Sequence, residues 1–74
     1  VDVYGRDADG AVVAVELKNV RAGPSAASQL SRYVDALRRD LHADATVRGI
    51  LVAPDVTEKT RRLLAADGLA YSSV

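Results

Sequence analysis

Cysteine is absent from the 74 residues, so neither disulfides nor a thiolate metal site can hold the fold. Any metal must be bound by oxygen or by His42, a donor set that suits hard cations. Aromatic residues make up only 4% against a hydrophobic fraction of 49%, which leaves Leu, Val and Ala to supply nearly all the packing. A single small domain of this length buries only about 60% of the surface its unfolded chain exposes, so its stability is expected to be marginal. No apolar run approaches the ~20 residues needed to span a bilayer, and no signal-peptide pattern opens the chain. A soluble, cytoplasmic protein is expected. A charge excess of either sign is also lacking: ten basic residues balance ten acidic ones. Without a net positive field to steer nucleic acid from a distance, any nucleic-acid function must rest on a local site. There is no internal repeat, low-complexity tract or linker, and the chain starts inside its first strand, as expected for a fragment of something longer.

The pattern that is present reads as alternating strands and helices. VDVYGR (1–6) and AVVAVELK (11–18) are rich in β-formers and flank the turn signal DADG, the signature of a β-hairpin. A three-residue Ala8-Asp9-Gly10 loop with Gly10 in the left-handed region sets Asp7 opposite Ala11 and Asp2 opposite Glu16. A two-residue Asp9-Gly10 turn would instead pair Asp2 with Leu17, setting a carboxylate against a large apolar group, so the first register is preferred. Val1, Val3, Val13, Val15 and Leu17 then share one face and Asp2, Tyr4, Arg6, Glu16 and Lys18 the other, a core side and a chemical side.

From Ser25 to Leu41, apolar residues at Ala26, Leu30, Val34, Leu37 and Leu41 recur at helical spacing. Asp35 stands one turn from Arg38 and Arg39, pairs worth a few tenths of a kcal/mol each. Val47–Ala53 is apolar on both alternating faces from Ile50 onward, as expected for a central strand covered on both sides. Asp55 and Glu58 make a capping pair for a second helix that Gly68 ends, and LAYSS (69–73) forms a last strand. The expected fold is α/β, a small mixed sheet flanked by helices in the order hairpin, helix, strand, helix, strand, with strands joined across helices lying parallel.

Two carboxylates directly opposed on neighbouring strands destabilise a sheet unless positive charge lies near them. Lys18 shares the face of Glu16, and a divalent cation with oxygen ligands would neutralise the rest. A metal held by Asp2, Glu16 and the backbone carbonyl of Leu17 could polarise a phosphate oxygen and lower the pKa of a bound water. Lys18 could orient that water or stabilise charge developing on the phosphoryl oxygens. An isolated ExK is a weak signal, more often a solvated strand end; the constellation carries the weight.

Asp2, then Glu16-Leu17-Lys18 on a strand, then Gln29 and Tyr33 one turn apart on the next helix, resemble the PD-(D/E)xK nucleases, in particular the RecB-like branch with its Gln-xxx-Tyr element. VDVYGRDADGAVVAVELK, followed by QLSRY and VRGILVA, looks like the carboxyl-terminal nuclease domain of the NucS/EndoMS mismatch-specific endonucleases, a likeness covering nearly the whole chain. The resemblance implies a restriction-endonuclease-like core spanning 1–74. It further implies magnesium or manganese bound by Asp2 and Glu16, a catalytic Lys18, and Gln29 and Tyr33 positioning metal water or phosphate. The activity it implies is metal-dependent endonucleolytic cleavage of mismatched or branched DNA in repair, by a homodimer of the full-length protein; a need for an activating partner such as a sliding clamp is not legible in the sequence. Two departures stand out: Asn19 and the loop through Gly23-Pro24 are less basic than the family's stretch after its ExK, and the helix that would supply a further acidic residue ahead of Asp2 is missing.

Blander readings stand beside these. Tyr33 alone is a rim residue with its hydroxyl in water, and Gln29 alone is a good helix former. His42 suits a helix C-terminus. Arg21, Arg32, Arg39, Arg61 and Arg62 read as solvated arginines, and Tyr4 and Tyr71 as packing residues with wet tips. The alternative to a nuclease is a catalytically inactive binding or assembly module that keeps the nuclease fold.

Overall fold

A computed structural model of the chain describes residues 3–41 and 46–74. Six elements follow in order: β1 (Val3–Arg6), β2 (Val12–Leu17), α1 (Pro24–Asp40), β3 (Val47–Ala53), α2 (Glu58–Ala66) and β4 (Ala70–Ser73). The strands form one mixed sheet in the order β1-β2-β3-β4, with β1 antiparallel to β2 and the remaining pairs parallel. This is the α/β architecture expected from the sequence.

The β1–β2 turn is built by Asp7 and Gly10. Gly10 takes φ +84, a left-handed conformation that glycine adopts without a Cβ penalty. The Asp7 carboxylate accepts from the amides of Asp9 (2.9 Å) and Ala11 (3.0 Å), and the Asp7 amide donates to the Ala11 carbonyl at 2.9 Å. These bonds select the three-residue loop. Along the strands the register runs from Arg6 opposite Val12 to Val3 opposite Val15, which is the register preferred from sequence. Asp2 itself lies outside the described residues, as does His42.

Helix α1 begins with Gly23 as N-cap and Pro24 in the first turn, where the missing proline N–H costs nothing. Arg38 and Arg39 occupy the last turn and complement the helix dipole. Helix α2 is capped differently from the expectation. Thr57, not Asp55, is the N-cap, its hydroxyl accepting from the Thr60 amide at 3.1 Å. Asp55 instead pairs with Arg21 at 3.1 Å, because the chain between β3 and α2 turns toward the loop that follows β2. Gly68, with φ +70, follows the end of α2 as expected of a terminating glycine.

The placement of the core overturns one expectation. Val12, Ala14 and Glu16 are the buried side chains of β2, while Val13 and Val15 are half-buried and Leu17 is exposed. The face assigned to chemistry is therefore the face the helices cover. Two successive parallel crossovers, β2 to β3 and β3 to β4, step across the sheet in one direction, and their common right-handed sense carries both helices to one side. The two helices pack on each other there. Strand β3 is accordingly covered by helices on its Val47, Gly49, Leu51 and Ala53 side, with Arg48 exposed and Ile50 and Val52 only half-buried on the other, rather than buried on both faces. The core joins Val12, Ala14 and Leu51 of the sheet to Leu30 and Val34 of α1 and Leu64 of α2. Each fully buried leucine contributes roughly 1.5–3 kcal/mol relative to exposure.

Gly49 sets how closely α1 approaches. A Cβ at this position would lie 2.8 Å from both Val34 Cγ2 and Leu69 Cδ2. Beside it across the parallel ladder stands Ala14, so two small residues form the depression into which Leu30 and Val34 settle.

Candidate active site

The parallel arrangement brings the carboxyl ends of β2, β3 and β4 to one end of the sheet, the usual location of ligands in sheets of this kind. Glu16 and Lys18 lie there, at the end of β2. Glu16 is 6% exposed, an unusual degree of burial for a carboxylate. Lys18, with its side chain 36% exposed, sets Nζ 3.5 Å from Glu16 Oε2. The pair joins a buried anion to a cation that still reaches solvent.

The backbone around them is fixed by the neighbouring strand and loop. The Lys18 amide donates to the Val52 carbonyl at 2.9 Å. Beyond Lys18 the chain is tied to the approach to α2 by a parallel bridge between Ala22 and Val56, with Ala22 N–H donating to Asp55 O (2.9 Å) and Thr57 N–H to Ala22 O (3.1 Å). The Arg21–Asp55 ion pair lies over this bridge, and being exposed it adds well under about 1 kcal/mol. Sequence reasoning missed this tie, treating Arg21 as solvated and Asp55 as a cap. Its partners are more than thirty positions apart, so no local signal marks it.

Gln29 and Tyr33 both lie on α1, one turn apart and exposed. Their flank can be oriented from contacts on the opposite one. Arg38 Nη2 donates to the Val47 carbonyl of β3 at 3.3 Å, while Leu30 and Val34 sit over Gly49 of the same strand. At 100° per residue, Gln29 and Tyr33 fall on the side of the Leu30–Val34 stripe away from Arg38, the side toward β2. Because α1 returns antiparallel to β2, its amino-terminal half, with Gln29, stands over the end of the strand that carries Glu16. The sheet and helix thus bring Glu16, Lys18 and the Gln29/Tyr33 flank to the same region of the molecule.

Leu17 turns its side chain to the opposite face, where it is exposed, leaving its backbone carbonyl as the group it could offer a metal. No group of three His, Cys, Asp or Glu side chains able to hold a metal occurs among the described residues; Asp2 is not among them. The oxygen chemistry of Glu16 and the Leu17 carbonyl fits a hard divalent cation. No helix among the described residues is long and apolar enough to cross a membrane.

A family model for the endonuclease NucS C-terminal domain matches residues 1–74. The chain belongs to this family. Endonuclease NucS 1 of Halobacterium salinarum is 80% identical over 74 residues, covering all of this chain and 31% of the relative. Endonuclease NucS of Methanopyrus kandleri is 53% identical over 73 residues, covering 99% of this chain and 27% of the relative. Among solved structures, the crystal structure of a repair endonuclease from Pyrococcus abyssi superposes with a TM-score of 0.93 at 46% identity, over 100% of this chain and 32% of the other. A structure of an EndoMS–dsDNA complex superposes with a TM-score of 0.88 at 45% identity, over 96% of this chain and 29% of the other. The chain spans about a third of the length of the curated relatives it matches.

Proposed function

We propose that this chain is the nuclease domain of a metal-dependent DNA endonuclease that hydrolyses phosphodiester bonds in DNA repair, at mismatched or branched sites. The observation that carries the reading is Glu16, a carboxylate buried between sheet and helix at the end of β2 with the Lys18 ammonium 3.5 Å away. A buried charge is costly unless paired or placed on a metal, and this one lies at the end of the sheet over which the amino-terminal half of α1 stands. Membership in the NucS family and the likeness to an EndoMS–dsDNA complex support DNA as the substrate.

In this reading Glu16, Asp2 and the Leu17 carbonyl hold Mg2+ or Mn2+. When bound, the cation would polarise a phosphoryl oxygen and lower the pKa of water. Lys18 directs its ammonium at charge gathering on the phosphoryl oxygens; a fixed cation so aimed strengthens transition-state binding. Its partial exposure allows it to move from Glu16 to phosphate. Gln29 and Tyr33 present an amide and a hydroxyl that can orient the phosphate or the attacking water by hydrogen bonding. Cutting both strands calls for two copies of the site, which favours a homodimer of the full-length protein in the cytoplasm.

The test is cleavage of a mismatch-containing duplex by the protein in its natural full-length form, comparing wild type with Glu16→Gln and Asp2→Ala. Both substitutions should abolish cleavage while leaving the melting profile near that of wild type. Calorimetric titration with Mn2+ should show binding in the wild type and its loss in Glu16→Gln. Cleavage by Glu16→Gln at the wild-type rate would remove Glu16 from the chemistry. Duplex binding without metal uptake or cleavage by the wild type would point to an inactive binding module.

A further inference from the structure

The pairing of β2 with β3 breaks off at Lys18 because of a residue on the opposite chain. In a parallel ladder, a residue whose amide donates to one residue of the neighbouring strand accepts at its carbonyl from the residue two positions further along that strand. The Lys18 amide donates to the Val52 carbonyl at 2.9 Å, so a continued ladder would need the Lys18 carbonyl to accept from the amide of residue 54. Residue 54 is proline, which has no N–H to give. Lys18 is therefore the last residue held by the ladder before it breaks.

The ladder resumes out of step. Leu17 pairs with Val52, and Ala22 with Val56. Between these pairs stand four residues on one side, Lys18 to Arg21, and three on the other, Ala53 to Asp55. The chain after β2 thus carries one residue more, a bulge of the kind found beside active sites, where it re-aims a side chain or ends pairing. Where the two chains rejoin, consecutive residues grip Asp55. The Ala22 amide donates to its carbonyl at 2.9 Å, and Arg21 Nε stands 3.1 Å from its Oδ2. The Thr57 amide donates in turn to the Ala22 carbonyl at 3.1 Å. The ion pair is exposed and contributes little to folding. Its effect is local, closing the bulge that begins at Lys18.

We propose that Arg21 and Asp55 are positioning residues for Lys18: their ion pair holds the bulge closed, and the closed bulge keeps the lysine ammonium at Glu16 and aimed at the scissile phosphate. This rests on the nuclease reading of the Glu16 site and adds the residues that place its cation. Lys18 sets Nζ 3.5 Å from Glu16 Oε2 at the end of a flexible four-carbon stem, so its placement depends on the backbone that carries it. On the amino-terminal side that backbone is fixed by β2. On the carboxyl-terminal side Pro54 has broken the ladder, and the grip on Asp55 takes its place. An exposed ion pair of ordinary strength shifts the closed fraction by no more than about fivefold, which sets the size of the effect to be read in turnover.

The test uses the natural full-length protein and a mismatched duplex. Arg21→Gln and Asp55→Asn are made singly, together, and in the Lys18→Met background. Each single variant should lower kcat about three- to fivefold and leave KM within about twofold of wild type. Melting temperatures should match wild type while exchange of the Ala22 amide quickens, which reports the opened bulge independently of turnover. The two substitutions together should cost no more than either alone, because both remove the same pair. In the Lys18→Met background they should cost nothing further, since the clasp then has no lysine to position. Full additivity with Lys18→Met would overturn the proposal. So would a raised KM confined to Arg21→Gln, with the salt dependence of duplex binding reduced by about one phosphate contact, which would make Arg21 a direct DNA ligand. If Lys18→Met itself cuts at the wild-type rate, the nuclease reading of the site fails. If Lys18→Met is impaired while Arg21→Gln and Asp55→Asn both equal wild type, only the positioning inference fails.

Discussion

Gly49→Ala tests the contact that sets the distance between α1 and the sheet, and with it the position of the Gln29/Tyr33 flank over Glu16. The added methyl would meet Val34 Cγ2 and Leu69 Cδ2, each 2.8 Å away, with Leu30 Cδ1 at 3.4 Å. Leu69 can swing a terminal methyl aside, but Val34 is stiff at χ1 and fixed in the middle of α1, so the helix itself must lift. Overpacking of this kind costs about 1–3 kcal/mol. Removing glycine from a strand interior returns about 0.5–1 kcal/mol by lowering the entropy of the unfolded chain. The net loss is about 1 kcal/mol, which in a domain of this size lowers Tm by about 4–8 °C. Thermal unfolding followed by circular dichroism, wild type and variant side by side, measures it. The double variant Gly49→Ala/Val34→Ala adds a sharper criterion. The new methyl then enters space vacated by valine, so the double variant should be more stable than the sum of the single effects predicts, with a coupling of about 0.5–3 kcal/mol. A Gly49→Ala protein that melts at or above the wild-type temperature, or strict additivity in the double variant, would show that Gly49 does not control the approach of α1.

Other expectations follow from single contacts. Thr57→Ala removes the hydroxyl that accepts from the Thr60 amide and also bonds the buried Thr60 hydroxyl at 2.6 Å; the loss should reach the upper part of the about 0.5–2 kcal/mol range for N-caps, read from denaturant midpoints. Tyr71→Phe deletes the bond to the Ala53 carbonyl that ties β4 to β3 and should cost about 1 kcal/mol, with faster amide exchange in β4 and little change elsewhere. Lys18→Met should lower kcat on a mismatched duplex by at least about a hundredfold while Mn2+ uptake measured by calorimetry persists, since its role is directed at phosphoryl charge and not at metal binding. Loss of both together would instead make Lys18 part of the metal-site scaffold.

Much of the fold and part of the site could be read from residue order. The Asp9-Gly10 turn and the apolar spacing from Ala26 to Val34 name their structures because each depends on local backbone geometry. The hairpin register followed from Gly10 together with the mismatch of Asp2 and Leu17 that the two-residue turn would create. The Glu16-x-Lys18 spacing placed both side chains on one face, and the one-turn spacing of Gln29 and Tyr33 placed them on one flank.

What alternation does not encode is which face of the sheet becomes the inside. Strand β2 is apolar at both parities, Val12 and Ala14 against Val13, Val15 and Leu17, and Glu16 among the first set makes that side look like the one facing water. The side was decided by the common handedness of two crossovers, a property of the assembled chain, which buried the carboxylate under α1. The assembled chain also joined Arg21 to Asp55 and Ala22 to Val56 across a separation that no local pattern spans. Sequence by itself determined which groups could act together; only the tertiary structure decided that the acid would be buried, because burial depends on what the rest of the chain folds over.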